Sequence, residues 1–72
     1  MAAKPLNVLS DSLGKNVIVE IRGKKEYRGV LDGYDPHMNL VLRDAELIVE
    51  GVSAGKTALT IVRGDSVIYI SP

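Results

Sequence analysis

The spacing of apolar residues along the 72-residue chain changes once, near Gly14. Before this glycine, three leucines recur at the spacing of one helix face: Leu6, Leu9 and Leu13. Pro5 suits the first position of a helix, and Gly14 suits the residue just past its end. After Gly14, apolar and polar residues alternate with the period of two that is typical of strands. The pattern predicts one short helix over residues 5–13, followed by β structure.

The first two predicted strands form a hairpin around the turn Gly23-Lys24-Lys25. A reversal centred on Lys24 pairs Val19 with Gly29 and keeps the apolar residues of both strands on one face. The polar face then holds two pairs of opposite charge: Arg22 with Glu26, and Glu20 with Arg28. Such cross-strand pairs contribute about 0.2–1 kcal/mol each, and a slip of one residue would turn charges toward the core.

Glycine and proline divide the remaining sequence. Gly29 and Gly33 lie inside the second strand, where glycine indicates a sharp bend or a close backbone contact. Asp35-Pro36 ends this strand, since proline cannot donate to a sheet ladder. The following segments are then a third strand from Leu40 to about Ile48, a flexible loop over residues 50–56, and two strands, Ala58–Val62 and Ser66–Ile70, around Arg63-Gly64-Asp65.

The last two strands are apolar on both faces, which a chain this short cannot cover alone. Unpaired strand edges of this kind recruit other chains. If the fourth strand of one subunit pairs with the fifth strand of its neighbour, the contact is heterologous and a closing rotation gives a ring. The residue pattern therefore predicts a mostly β protein of one short N-terminal helix and five strands in a strongly curved sheet, and closure into a ring would hide every edge.

Composition supports oligomerisation as the means of stabilising a thin core. A chain of this length buries only about 60% of the surface that it exposes when unfolded. The absence of cysteine excludes disulfides and nearly excludes a structural zinc site, since one histidine and no thiolate cannot fill a tetrahedral shell. The residue types indicate neither a metal nor another cofactor.

Charge and hydropathy restrict the partners. Nine basic and nine acidic residues cancel, so the chain lacks the overall positive field of a duplex-binding protein. No apolar run approaches the roughly 18 residues of a membrane helix, and the N-terminal residues lack the apolar core of a signal peptide. We therefore expect a cytoplasmic protein that does not contact a membrane.

The pattern as a whole resembles the Sm and Sm-like (Lsm) proteins, and the resemblance covers nearly the whole chain. The first Sm motif resembles Val17–Ala45, with Gly29, Leu31, Asp35 and Met38-Asn39, and the second resembles Ile61–Ile70. The chain is most similar to the single-domain archaeal type, with one Sm-like domain over residues 1–72. The bacterial relative Hfq has a different second motif, from which Arg63-Gly64 departs.

This resemblance implies a fold, an assembly and a ligand. The fold would be the Sm fold: a short N-terminal helix followed by a strongly bent five-stranded antiparallel sheet, an open SH3-like barrel, assembled into a ring by pairing of the fourth and fifth strands. Family resemblance favours seven identical subunits, although the sequence itself leaves six, seven or eight open. The implied ligand is single-stranded, uridine-rich RNA at the inner rim of the pore, in RNA processing or RNA stability, with RNA-processing proteins as further partners.

The candidate site residues have the chemistry that this ligand requires. His37 and Arg63 are planar groups that can hold a base from above and below, and the Asn39 amide both donates and accepts hydrogen bonds. Uracil offers N3–H as donor and O4 as acceptor, whereas cytosine presents the inverse pattern. We expect Asp65 to accept a hydrogen bond from the Asn39 amide, and Gly64 to let the backbone approach the base or a phosphate.

Each of these residues also has a simpler interpretation. His37 can be an exposed turn residue, Asn39 can cap the turn through its own backbone, and Arg63-Gly64-Asp65 can be a solvated hairpin turn. Tyr34 can stack on a base or, more often, pack against the sheet. Asp35 is a turn former rather than a catalytic acid or metal ligand, because no second histidine or nucleophile accompanies it. We therefore predict that the protein is not an enzyme.

Two further interpretations concern other surfaces. Lys24 and Lys25 form a basic turn that can meet phosphates, although solvated turn charges are commoner. As a whole, the ring can instead be a scaffold that recruits other proteins, with RNA binding incidental. A monomeric SH3-like peptide binder is disfavoured, since such grooves need aromatic walls and the chain has only three tyrosines.

Overall fold

The computed structural model describes residues 5–71 as one helix and one sheet. The elements are α1 (Pro5–Ser12), β1 (Asn16–Ile21), β2 (Lys25–Tyr34), β3 (Leu40–Val49), β4 (Val52–Val62), a 3₁₀ turn (Gly64–Ser66) and β5 (Val67–Ser71). All strand pairs are antiparallel, in the order β4-β3-β2-β1-β5. The predicted fold is confirmed, and α1 ends one residue before its predicted end. Within residues 5–71, no helix is long and apolar enough to cross a membrane.

The sheet bends around a small aliphatic core. The largest fully buried side chains come from the first three strands: Leu31, Leu40, Leu42, Val17 and Val19. At the bend, a Cβ on Gly29 would lie 3.0 Å from the Ala45 Cα and from the Arg43 carbonyl oxygen. The pairing of β2 with β3 shifts register on each side of Leu31. Only glycine permits this close approach of β2 to β3, which explains the predicted bend.

The register predicted for the first hairpin is wrong by two residues. Val19 lies opposite Tyr27, and Ile21 lies opposite Lys25. The cause is the turn, because Gly23 and Lys24 both have positive φ (88° and 59°) and centre the reversal on Gly23. A shift of two leaves every side chain on its predicted face, since successive strand residues alternate between faces.

The two predicted charge pairs on this hairpin are therefore also wrong. Glu20 lies opposite Glu26 on β2 and opposite Tyr69 on β5. Arg28 instead binds Glu26 along its own strand, with 3.0 Å between Nε and Oε2. The Glu20 carboxylate, with desolvation and Glu26 adding to its effect, raises the pKa of Tyr69. The outer face of β1 and β2 is thus more acidic beside β5 than the predicted register implied.

The loop predicted over residues 50–56 is mostly strand. Glu50 and Gly51 both have positive φ (50° and 82°), so the chain reverses in two residues and Val49 pairs with Val52. Paired left-handed residues are typical of the tight turns that join hairpin strands. Ser53 and Gly55, which also suggested a loop, lie within β4, next to a register shift at Leu47/Ile48.

The two ends of the sheet carry the most exposed apolar side chains. β4 and β5 each pair with one neighbour only, so both have a free edge within the described chain. On β4, Leu59 and Ile61 are 60% and 70% exposed, and on β5, Ile68 and Tyr69 are 59% and 53% exposed. Such edges pair readily with further strands.

Candidate functional site

The first part of the site is the turn from Asp35 to Asn39, which joins β2 and β3. The Met38 amide donates to the Asp35 carbonyl oxygen (3.0 Å), and the Asp35 amide donates to the Asn39 carbonyl oxygen (3.1 Å). Asp at the first position and Pro at the second favour this reversal, since proline presets the backbone angle needed there. Met38 has a φ of 65°, and its half-buried side chain packs against the core. The Met38 side chain therefore anchors the turn to the core.

The Asp35 carboxylate organises this turn. Its Oδ1 accepts hydrogen bonds from the backbone amides of His37 (2.9 Å) and Asn39 (3.0 Å), and its Oδ2 accepts from Asn39 Nδ2 (2.9 Å). The Asn39 side-chain bond is the main cause that lowers the pKa of Asp35, and desolvation opposes it in part. Asp35 is thus a charged acceptor that fixes the orientation of the Asn39 amide.

The second part of the site is the 3₁₀ turn, which reaches the first part through Gly64. The Gly64 amide donates to Asn39 Oδ1 at 2.8 Å. A Cβ on Gly64 would overlap the His37 carbonyl oxygen and lie 2.9 Å from the Met38 carbonyl carbon. Glycine is required here because the two turns are in backbone contact.

The hydrogen bond predicted between Asp65 and the Asn39 amide is wrong. The Asn39 side-chain amide instead binds Asp35, which lies four residues earlier in the same turn. Asp65 binds the Arg63 guanidinium at 3.1 Å and accepts from the Ser66 hydroxyl at 3.4 Å. The cause is the 3₁₀ turn, which brings the Gly64 amide to Asn39.

These contacts leave a defined pattern at the Asn39 amide. A carboxamide has two N–H donors and an oxygen with two lone pairs. One donor goes to Asp35 and one lone pair receives the Gly64 amide, so one donor and one acceptor of the Asn39 amide remain free. Asn39 lines an open cleft of about 610 Å³, together with Gly33, Tyr34, Asp35, Val41, Ile61 and Arg63. The cleft can therefore present an acceptor and a donor to a planar ligand.

The other predicted site residues surround this amide. The Arg63 side chain is 79% exposed and lines the same cleft, while His37 is exposed on the first turn. Stacking of a base between these two planar groups stays a prediction. Tyr34 also lines the cleft and packs against the buried core, and its hydroxyl donates to the Leu6 carbonyl oxygen of α1 at 3.3 Å.

Asp35 is the residue that sequence analysis undervalued. The signal was the spacing of an aspartate four residues before an asparagine across a proline turn, since Asp side chains often bind backbone amides two residues on. The sequence interpretation as a turn former is confirmed, but the hold on Asn39 was missed. Among residues 5–71, no three His, Cys, Asp or Glu side chains cluster in a way that could hold a metal ion.

The substitution Asp35→Asn is expected to weaken discrimination between ligands without unfolding the protein. An asparagine side chain has one acceptor oxygen for the three N–H groups that bind the Asp35 carboxylate. Its amide nitrogen would therefore face Asn39 Nδ2, and the repulsion between these two donors would make the Asn39 amide rotate. The lowered pKa of Asp35 means that the carboxylate stabilises the fold above its unfolded pKa, near 3.8, and that this stabilisation is lost as pH falls through the lower folded pKa.

Thermal melts of both proteins from pH 7 down to pH 3 test the expected pH dependence of the stabilisation by Asp35. The gap in melting temperature between wild type and Asp35→Asn should be constant at neutral pH and should narrow only below about pH 4. Asp32→Asn is the matched control, since its carboxylate faces Arg43 at 3.5 Å on the surface. A gap that closes between pH 7 and pH 5 would contradict the role given to Asp35.

Comparison with known proteins places the chain in a family. The family model for the LSM domain matches residues 7–72, and the chain belongs to this family of Sm and Sm-like proteins. Within it, the chain is similar to archaeal Sm-like proteins. It is 49% identical to that of Methanococcoides burtonii over all of both chains. It is 51% identical to that of Archaeoglobus fulgidus over all of this chain and 94% of the relative.

Solved structures agree with this placement. The Pyrococcus abyssii Sm protein, solved in complex with a uridine heptamer, is 44% identical, with a TM-score of 0.93 over 97% of this chain and 99% of that chain. A heptameric archaeal Sm protein is 45% identical, with a TM-score of 0.85 over 92% and 96% of the two chains. The SmAP1 heptamer of P. aerophilum is 43% identical, with a TM-score of 0.90 over 100% and 96%. The Sm fold of the chain is confirmed.

Proposed function

We propose that the protein forms a closed ring of seven identical subunits, which binds single-stranded, uridine-rich RNA at the inner rim of its pore. The observation that carries the proposal is the Asn39 amide, held by Asp35 and Gly64 so that one donor and one acceptor remain free. These match the O4 acceptor and the N3–H donor of uracil. Cytosine places a donor and an acceptor in the inverse order and leaves both groups of Asn39 unpaired.

The remaining site residues add affinity and shape. Arg63 and His37 stack on the two faces of the base, and stacking contributes about 1–3 kcal/mol per base. Asp65 restrains the Arg63 guanidinium at 3.1 Å, and Gly64 brings the second turn against the first. One such site binds a nucleotide weakly, but a ring repeats the site along one strand at high effective concentration. Copies of Arg63 around a pore also focus positive potential while each subunit stays neutral.

The ring follows from the free edges of the sheet. β4 and β5 lie at opposite ends of the strand order, and both present exposed apolar side chains. Pairing β4 of one subunit with β5 of the next buries these side chains and leaves no edge unpaired. Support for seven subunits and for uridine comes from relatives of 43–45% identity that were solved as heptamers or with a uridine heptamer.

The cellular role follows from the ligand. A ring that holds uridine-rich single strands acts in RNA processing or RNA stability, in the cytoplasm, with RNA-processing proteins as further partners. Binding and release of RNA, rather than a chemical reaction, is the proposed activity.

Native mass spectrometry with equal amounts of a uridine heptamer and a cytidine heptamer tests the proposal. A single closed oligomer that carries mainly the uridine heptamer is expected. A ring that binds neither oligonucleotide would refute RNA recognition and favour the protein-scaffold function. A monomer would refute the pairing of β4 with β5.

The substitution Leu59→Glu is expected to dissociate the ring into folded monomers. Leu59 is 60% exposed on β4, so a charge there costs the isolated subunit little but would be buried at the contact with β5. Sedimentation velocity should show loss of the oligomer while circular dichroism shows an intact sheet. Leu13→Glu is the matched control, because Leu13 is 43% exposed and lies outside both edge strands. An unchanged sedimentation coefficient for Leu59→Glu would contradict the proposed contact.

A further inference from the structure

The turn between β1 and β2 carries three cations that the RNA site does not use. We call Arg22, Lys24 and Lys25 the basic tip. All three are exposed, and none forms an ion pair within residues 5–71. Three arginines elsewhere each pair with a carboxylate: Arg28 with Glu26, Arg43 with Asp32, and Arg63 with Asp65. The basic tip therefore keeps its charge available to an external anion.

The basic tip lies directly beside the turn that carries Arg63. The Arg22 amide donates to the Ser66 carbonyl oxygen at 3.2 Å, and Ile21 pairs with Val67 at the start of β5. One backbone hydrogen bond thus joins Arg22 directly to the last residue of the 3₁₀ turn. A strand that leaves the base site past Ser66 meets Arg22 first.

Few acidic groups oppose this charge. Glu50 is nearest across the fold, because its amide donates to the Lys24 carbonyl oxygen at 3.0 Å. Glu26 follows the tip in sequence but pairs with Arg28, and Asp65 pairs with Arg63. Glu20, two residues before Arg22, is the second nearby carboxylate, and two carboxylates against three cations leave the tip positive.

The basic tip also lies on one side of the domain. β2 begins at Lys25 beside the tip and ends at Tyr34, whose hydroxyl binds α1. The tip and α1 are therefore at opposite ends of this strand. In a ring of identical subunits, symmetry would place every tip on the same face.

We infer that the basic tip is a second RNA contact, which binds the phosphates of the strand where it leaves the pore. The inference rests on the proposed uridine site and extends it. Ammonium and guanidinium groups at this tip contact phosphate oxygens and not base edges, so the contact is independent of sequence. It would give long RNAs an affinity that the uridine tract alone does not provide.

The experiment compares three RNAs: a uridine heptamer, the heptamer with a short uridine-free extension at its 3′ end, and the heptamer with the same extension at its 5′ end. The variant combines Arg22→Gln, Lys24→Asn and Lys25→Gln. Asparagine suits position 24 because the φ of 59° there is one that Asn tolerates. Lys15→Gln is the control, since Lys15 is exposed and its carbonyl oxygen binds the Leu31 amide, away from the tip.

Wild type should bind one of the two extended RNAs more tightly than the heptamer, and only that one, because the tip lies on one face. The triple variant should lose this gain and keep the heptamer affinity, whereas Lys15→Gln keeps both. The slope of log affinity against log salt for that RNA should fall by about 2, from three phosphate contacts at roughly 0.7 each.

The outcomes separate the two proposals. If wild type does not bind the uridine heptamer, the proposed function fails. If the heptamer binds but neither extension gains affinity, or if the triple variant retains the gain, the basic tip is not an RNA contact and the uridine site stands alone.

Discussion

Substituting alanine for Asn39 is expected to abolish the preference for uridine over cytidine. The change removes both groups that read the base and leaves the Gly64 amide without its acceptor. A base read by two hydrogen bonds is discriminated by about 1–3 kcal/mol, or roughly fivefold to more than a hundredfold per position. Stacking on Arg63 and His37 would remain, so the variant should bind both oligonucleotides weakly and equally.

Competition between uridine and cytidine heptamers, followed by fluorescence anisotropy, measures this effect. Asn7→Ala is the control, because it removes an exposed amide from α1. The oligomer mass must be checked for each variant, so that lost preference is not confused with lost assembly. Unchanged affinity and unchanged preference in Asn39→Ala would show that the base is read elsewhere.

Alanine at Gly64 is expected to separate the two turns of the site. Its Cβ would overlap the His37 carbonyl oxygen. Because the atoms that it meets all belong to the backbone, no side chain can move aside to make room. Forcing an extra methyl group into a packed contact typically costs about 1–3 kcal/mol of unfolding free energy. The shift would also withdraw the Gly64 amide from Asn39, so uridine binding should be lost together with stability.

Chemical denaturation and uridine binding should be measured on the same preparations of this variant. Gly33→Ala is the matched control: its Cβ would meet Val41 side-chain atoms at 3.7 Å, which is ordinary contact, and it borders the same cleft. The control should retain stability and bind uridine. A Gly64→Ala protein as stable as wild type would show that the two turns can move apart freely.

The period of the apolar residues was sufficient to predict the helix and the five strands, and the glycines inside the second strand predicted the bend. The period was not sufficient for the register of the first hairpin, because a shift of two residues keeps every side chain on the same face. Only the backbone angles of Gly23 and Lys24 decide between the two registers. Composition likewise misled over residues 50–56, where the left-handed pair Glu50-Gly51 makes a tight turn and the small residues belong to β4.

Sequence analysis named residues that the structure brings together, but it did not predict the hydrogen bonds that join them. Asn39 and Gly64 were selected from turn chemistry and resemblance, and the structure joins them by a hydrogen bond. Sequence alone cannot say which of two carboxylates reaches an amide. Asp65 is closer to Gly64 along the chain, but Asp35 lies on the same turn as Asn39 and binds it twice.

The segment between β4 and β5 is only four residues long, from Arg63 to Ser66. The same short segment therefore carries Arg63 and Gly64 of the site and ties together the two free edges of the sheet. A substitution that alters how neighbouring subunits meet will also tilt the groups offered to the ligand, and the reverse holds as well. Mutations at the subunit contact and mutations at the ligand site therefore constrain each other, so the two surfaces cannot diversify independently in evolution.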